Sequence, residues 1–319
     1  MKRLSAAEIA GNWATLLSAW NDDSSLDLPR VAAEIDTLIA LRVDGIYSNG
    51  TAGEFHLQNE DEFDRISHCL AEKCNAAGVP FQIGVSHMSP QISLERLRRV
   101  VALAPGAVQV ILPDWFPVTE EEAVSFLSRM AEAGEGLALV LYNPPHAKRV
   151  LTPEAIGRLA GRVPALAGVK TAGGDDGWYE SMRRNLGGLS VFVPGHLLAS
   201  GVVRGARGAY SNVACLNPAA AQWWYTLMQR DMPAALEVES RMRRFMDEFI
   251  APFITGEGYC NAACDRALAL LGGWADVGEK MRWPYRSIPL SAVKRLQPEA
   301  RRLIPEFMGG AQSPAAETP

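Results

Sequence analysis

Positive charge is scarce in this chain: 31 Lys and Arg stand against 36 Asp and Glu in 319 residues, a formal net charge of -5. No basic run interleaved with aromatics occurs, which excludes a field suited to nucleic acid or to an anionic membrane. Small-molecule partners are expected. Only five cysteines are present (Cys69, Cys74, Cys215, Cys260, Cys264), without paired CxxC spacing. A chain this large needs no disulfides, so an odd set points to a reducing compartment and a cytoplasmic location. No apolar run approaches the roughly 20 residues that span a bilayer. The opening "MKRLSAAEIAGNWATLLSAW" has a basic tip, but Glu8 and Asn12 interrupt it, and it reads as mature protein. No GxGxxG follows the first strand, and no HxH or HExxH spacing occurs. Neither a cofactor nor a metal is expected.

What the chain does have is core. At 48% hydrophobic it can fill one large α/β domain with additions. Eight short aliphatic or β-branched runs recur: "NWATLLSA" from Asn12, "DGIYSNG" from Asp44, "PFQIGVS" from Pro80, "AVQVILP" from Ala107, "LALVLYN" from Leu137, "LAGVKTA" from Leu166, "LSVFVPG" from Leu189 and "GAYSNVA" from Gly208. Between most of them the apolar period is helical, as at Val31, Ile35, Leu38 and Ile39. Thr119 with Glu122 predicts a capping box, and Thr152-Pro153 a capped helix start. Apolar strands alternating with helices imply a parallel sheet covered on its outer face, and the count of eight predicts a closed (β/α)8 TIM barrel. The barrel is expected over residues 1–230, a helical C-terminal extension over 231–308, and an unordered tail over 309–319, where "GGAQSPAAETP" is too small and polar to pack.

In such a barrel, chemistry collects at the C-terminal ends of the strands. Lys170 stands in "LAGVKTAGG" where the sixth strand should be most buried. Strict alternation places it on one face with Gly168 and Leu166. Taken alone it is a snorkelling lysine; desolvated, it is a neutral amine able to attack a carbonyl. Tyr142 ends the neighbouring strand and is placed to move protons beside that amine. In "NGTAGEF" the small residues Gly50 and Ala52 flank Thr51, and exposed backbone N–H groups there suit a carboxylate.

"GTAGE", "YN-P" and "GVK" at these places together resemble the dihydrodipicolinate synthase and N-acetylneuraminate lyase family, Schiff-base aldolases on a (β/α)8 barrel. The likeness runs through about residue 220 and more loosely beyond. It implies Lys170 as the imine-forming lysine, Tyr142 as the proton shuttle and Thr51 as a hydroxyl relay, with a pyruvate-like carboxylate on Thr51 and Ala52. It also implies a homo-oligomer, a tetramer or a dimer. The chain departs from that pattern at Ala52, where a second hydroxyl residue is usual, and at Trp115, where one branch has a tyrosine. Ala147 replaces an arginine, and Gly195-His196 replaces an acidic motif. These departures point to the same chemistry on a different 2-oxo acid. The expected substrate-binding set is Gly50, Ala52, Trp115, His146, Ala147, Gly195, His196 and Ser211, with Phe116 and Asp175 as further pocket candidates and Phe55 and His56 at its edge.

Two other readings stand beside this one. His56, His87, His146 and His196 all follow strands, with Asp114, Asp175 and Asp176 nearby, which is the composition of a metal-dependent barrel. A barrel that binds a 2-oxo acid without turnover is the other. Of the remaining motifs, "GVVRGARG" precedes the eighth strand and reads as a turn, and "WWY" at 223 to 225 as helix packing or a subunit contact.

Overall fold

The computed structural model describes residues 2–309, so the expected tail falls, beyond Gly309, outside them. Eight strands form: β1 (Gly11–Thr15), β2 (Gly45–Ser48), β3 (Phe81–Gly84), β4 (Ala107–Ile111), β5 (Ala138–Asn143), β6 (Leu166–Thr171), β7 (Ser190–Phe192) and β8 (Gly208–Ser211). Each pairs in parallel with the next, and β1 pairs with β8 to close the barrel. No helix among the described residues is long and apolar enough to cross a membrane.

Alternation along the strands sorts side chains into two cores. Outside, aliphatic residues such as Ile46, Ile83, Val108, Leu139 and Val169 meet the helix ring. Inside, Trp13, Tyr47, Ala107, Val140, Phe192 and Tyr210 fill the barrel. Large aromatics suit a closed interior because each removes much apolar area from water. Their polar tips must then find partners. The Tyr210 hydroxyl donates to Gln82 Oε1 at 2.6 Å, and the Tyr47 hydroxyl donates to Gln109 Oε1. A polar, aromatic floor therefore lies beneath the barrel mouth.

One register shift corrects the sequence reading. Leu139 pairs with Leu166 but Val140 pairs with Gly168, so a bulge interrupts alternation in β6. Leu166 consequently joins the outer core rather than sharing the inner face with Lys170. Beyond the bulge the pattern resumes, and Lys170 lies opposite Tyr142 on β5 and Phe192 on β7.

The helices start where the sequence predicts. Thr119 and Glu122 form the reciprocal capping box of the Glu120–Ala133 helix, and Thr152 caps Pro153–Arg162 with proline in its first turn. Trp224, inside the Pro218–Arg230 helix, is buried and donates through Nε1 to the Ala235 carbonyl at 3.0 Å, a helix-packing role. After Met232–Phe245 comes a π-helical turn, Met246–Ile250, and then the Asn261–Gly272 helix. That last helix is buried on nearly every side and packs against Asn212–Leu216, directly after β8. Its Arg266 reaches into the barrel end, donating to the carbonyls of Val277 at 2.7 Å and Ser18, and to Glu54 Oε1 at 2.7 Å. The C-terminal helices are thereby tied to the loop after β2.

Candidate active site

Two connected cavities open at the C-terminal ends of the strands. The inner one, about 340 Å³, is lined by Thr15, Thr51, Ala52, Tyr142, Lys170 and His196 among others. An outer, more apolar cleft of about 630 Å³ shares Thr51, Tyr142 and Pro145 with it and carries His146 and Ala147.

The Lys170 ammonium forms no hydrogen bond and no ion pair with another described residue. Its Nζ lies 4.3 Å from the ring centroid of Tyr142, 5.5 Å from that of Tyr210 and 5.7 Å from that of Tyr47. Ring faces attract an ammonium, but they replace its lost hydration only in part. Burial accordingly pushes the amine down to about 8. The Tyr142 phenol is raised by burial, and a hydrogen bond with Thr51 opposes that shift. Lysine, tyrosine and threonine thus line one cavity.

The loop after β2 is shaped by left-handed backbone at Asn49 (φ 55°) and Glu54 (φ 53°). The backbone N–H groups of Thr51 and Ala52 donate to no acceptor among the described residues, which leaves two donors at the cavity wall. Gly50 itself is packed against Tyr47, whose ring would lie 2.4 Å from any Cβ added there. It allows the loop to approach but does not line the cavity.

His196 is held by Asn212. The Asn212 Oδ1 accepts from the His196 backbone N–H at 3.3 Å, which orients Nδ2 to donate to His196 Nδ1 at 2.9 Å. The imidazole proton then resides on Nε2, and burial lowers the ring's pKa. Ser211 does not face the cavity, because its hydroxyl accepts from Ala214 N–H at 3.0 Å as a helix cap. Gly195 fits tightly against that same hydroxyl, only 2.4 Å from where a Cβ would sit.

Trp115 is not brought to the cavity either. It is 67% exposed, and Phe116 is 77% exposed. The Lys148 ammonium lies over the Trp115 ring and donates to its carbonyl at 2.6 Å, while Arg149 donates to the Val118 carbonyl at 2.6 Å. Those two cations bind one rim loop to the next. Asp175 caps the Asp176–Asn185 helix, and Asp176 pairs with Arg204. The four strand-end histidines do not converge as a set: His56 and His146 share the outer cleft, with His56 edge-on against Tyr285, but His87 accepts from Ser89 N–H and His196 lines the inner cavity. Among the described residues, no three His, Cys, Asp or Glu side chains gather in a metal-binding cluster.

The C-terminal helices supply lining that sequence reasoning missed. Asn261, Cys264, Asp265 and Leu268 enter the inner cavity from one helix, and Met246, Asp247 and Ile250 from the π-helical turn. A signal was present: Asp265 and Arg266 are the only charges in a helix otherwise apolar nearly all round, so neither can be an ordinary solvated residue.

A closed (β/α)8 barrel with a cavity at its strand ends has the architecture of the TIM-barrel class. Comparison with known proteins narrows the class. The model of the dihydrodipicolinate synthetase family matches residues 8–297, and the chain belongs to that family. It is accordingly a lyase of the class I aldolase type. An N-acetylneuraminate lyase of Citrobacter koseri is 25% identical over 77% of this chain and 83% of its own length. A 4-hydroxy-tetrahydrodipicolinate synthase of Thermomicrobium roseum is 28% identical over 66% of this chain and 70% of its own. In structure, the E. coli K12 prophage protein YagE, solved in complex with pyruvate, superposes with a TM-score of 0.82 at 20% identity, covering 92% of this chain and 98% of that one.

Proposed function

We propose that the protein is a Schiff-base-forming lyase, an aldolase or dehydratase, acting on a 2-oxo acid of the pyruvate type or a deoxy sugar acid. The observation that carries this reading is the pairing of an amine lowered to about 8 by burial with a tyrosine beside it, inside a cavity at the strand ends. Matching relatives named as an N-acetylneuraminate lyase and a 4-hydroxy-tetrahydrodipicolinate synthase support it.

The substrate carboxylate rests on the free N–H groups of Thr51 and Ala52, which brings C2 over Lys170. The Nζ lone pair forms a bond to C2, the carbonyl oxygen takes a proton from Tyr142, and the attacking nitrogen returns one to the phenolate, with Thr51 as relay, to give a neutral carbinolamine. Tyr142 then passes that proton to the new hydroxyl, which leaves as water as the nitrogen lone pair forms the iminium. The iminium nitrogen is then an electron sink. In cleavage, a C4 hydroxyl gives its proton to the tyrosine, the C3–C4 electron pair moves toward nitrogen, and an aldehyde departs from the enamine. In dehydration, C3 loses a proton and the C4 hydroxyl leaves with one. Hydrolysis of the imine returns the free lysine. Burial serves the tyrosine as well, because a raised phenol stays protonated and ready to donate.

In this reading the enzyme works in the cytoplasm as a homo-oligomer, a dimer or tetramer. The exposed aromatics Trp115, Phe116 and Trp283 support a contact surface. Light scattering on the purified protein measures the assembly directly.

A panel of 4-hydroxy-2-oxo acids and 3-deoxy-2-oxo sugar acids, screened for pyruvate release and for water loss, tests the function. Turnover that disappears in Lys170→Ala supports it. Turnover that survives that substitution, or that falls with a chelator instead, overturns it.

A further inference from the structure

Of the ionisable side chains in the inner cavity that have no task in the mechanism above, one has an unusual origin. Asp265 projects from the Asn261–Gly272 helix, outside the barrel proper, into the cavity that holds Lys170 and Tyr142. It is half-buried and has no hydrogen-bond or ion-pair partner among the described residues. Lys170, Tyr142 and Cys215 line the same cavity, and the Asp265 charge contributes to the shift of each. Arg266, the next residue, is fixed by its bonds to Val277, Ser18 and Glu54, so the helix cannot swing the carboxyl out of the site.

A carboxyl held this way without a protein partner costs free energy unless something else occupies it. Desolvation raises Asp265 to about 7, which records that cost. Lys170 is the only Lys or Arg in the lining of the inner cavity, whereas Asp265 and Asp247 both belong to it. The rim cations stand outside the inner cavity: Lys148 donates to the Trp115 carbonyl, and Arg149, in the outer cleft, donates to that of Val118. Within the inner cavity a second carboxylate on the substrate would meet Asp265 and Asp247 with no lining cation besides Lys170. Hydroxyls would meet a strong acceptor in Asp265, with Asn261, Asn212 and Thr171 lining the same cavity.

Resting on the Schiff-base reading, we propose that Asp265 is a substrate-contacting residue of this site, accepting a hydrogen bond from a hydroxyl beyond C3 and balancing the charge of the Lys170 iminium. Imine formation turns a neutral amine into a permanent cation, which favours the ionised carboxyl next to it. The acceptor is thus strongest when the intermediate is present. The same charge disfavours dicarboxylates, so the site selects hydroxylated monocarboxylate 2-oxo acids.

The test is borohydride trapping of the Lys170 imine, read by mass spectrometry on wild type, Asp265→Asn and Asp265→Ala. The probes are pyruvate, 2-oxobutyrate, 2-oxo-3-deoxygluconate and 2-oxoglutarate. Half-maximal trapping of 2-oxo-3-deoxygluconate by wild type is expected at a concentration at least about tenfold below that of 2-oxoglutarate, the scale of one charge-assisted hydrogen bond. Asp265→Asn should raise the 2-oxo-3-deoxygluconate value about tenfold or more relative to those of pyruvate and 2-oxobutyrate, and lower that of 2-oxoglutarate relative to them. It should also move the pH midpoint of pyruvate trapping downward, because an ionised Asp265 favours the Lys170 ammonium; Tyr142, Cys215, His196, Cys264 and Asp247 also face this space. Equal trapping of the hydroxylated and dicarboxylate probes by wild type, or variants that leave their ratio and the pH midpoint unchanged, overturns the role of Asp265 alone. Absence of any pyruvate adduct on wild-type Lys170 overturns the Schiff-base reading and this inference with it.

Discussion

Lys170 and Tyr142 are direct partners across β6 and β5, and the lysine Nζ lies 4.3 Å from the tyrosine ring centroid. Backbone pairing, rather than a flexible loop, fixes this relationship, so the amine and the phenol share one position over any bound carbonyl. Their separate roles are distinguishable by substitution. Tyr142→Phe keeps the ring and removes the proton. Its turnover is expected to fall by about 10²–10⁴-fold, the usual worth of a positioned acid–base group, while borohydride still traps some adduct on Lys170. Equal turnover in wild type and variant would remove Tyr142 from the proton path.

The pH dependence follows from the amine. Lys170 is lowered by burial to about 8, and only its neutral form attacks. The initial rate of pyruvate imine formation is expected to rise with pH and level off above about 8, roughly two units before a solvated lysine would. Stopped-flow or quenched trapping between pH 6 and 10 measures it. A rate still climbing steeply near pH 10 would mean an ordinary solvated ammonium.

Arg266 and Glu54 form a buried ion pair, 2% and 0% exposed, that ties the C-terminal helix to the loop carrying Thr51. Removing one partner leaves an uncompensated buried charge. Arg266→Ala is expected to cost about 3–5 kcal/mol in urea unfolding. Surviving folded protein should trap pyruvate poorly, because both Asp265 and the β2 loop lose their support. A loss below about 1 kcal/mol, the level of a surface pair, would contradict this.

Glu34 gives a stability test away from the chemistry. Burial raises it to about 8, and although Oε1 accepts from Leu17 N–H at 2.9 Å, Oε2 has no partner. A folded-state pKa above the unfolded value of 4.5 means the fold holds a proton that the unfolded chain has released. Its contribution is therefore fully present below pH 4.5 and is lost as pH rises toward about 8. Glu34→Gln is expected to remove that downward slope in stability, measured as urea midpoints from pH 5 to 9. An unchanged slope would place the titration elsewhere.

How far these features could be read from the sequence depends on whether the signal was local. The barrel was legible because eight aliphatic runs and their capped helices each announce themselves within a few residues; Thr119 with Glu122 is a case in point. Lys170, Tyr142 and Thr51 were legible because strand-end position and strand order bring them together. The bulge at Leu166 was not, since a register shift is settled by packing against β5 and leaves no local mark. Trp115 and Ser211 show a second limit: residue type announces a capacity, but Trp115 turns out to solvent under Lys148 and the Ser211 hydroxyl is spent on a cap. Asp265 marks a third. It lies 95 residues beyond Lys170 in the chain, on a helix whose period is simply that of a buried element, and only the closing of the C-terminal segment over the barrel mouth brings the two together.

The central claim is a desolvated amine within bonding distance of a bound ketone, and reductive trapping reads it without requiring the natural substrate. Incubation with pyruvate and borohydride, followed by peptide mass spectrometry, is expected to give irreversible addition of pyruvic acid less one oxygen atom on Lys170 and on no other lysine. An unmodified Lys170, or equal labelling spread over surface lysines, would contradict the account.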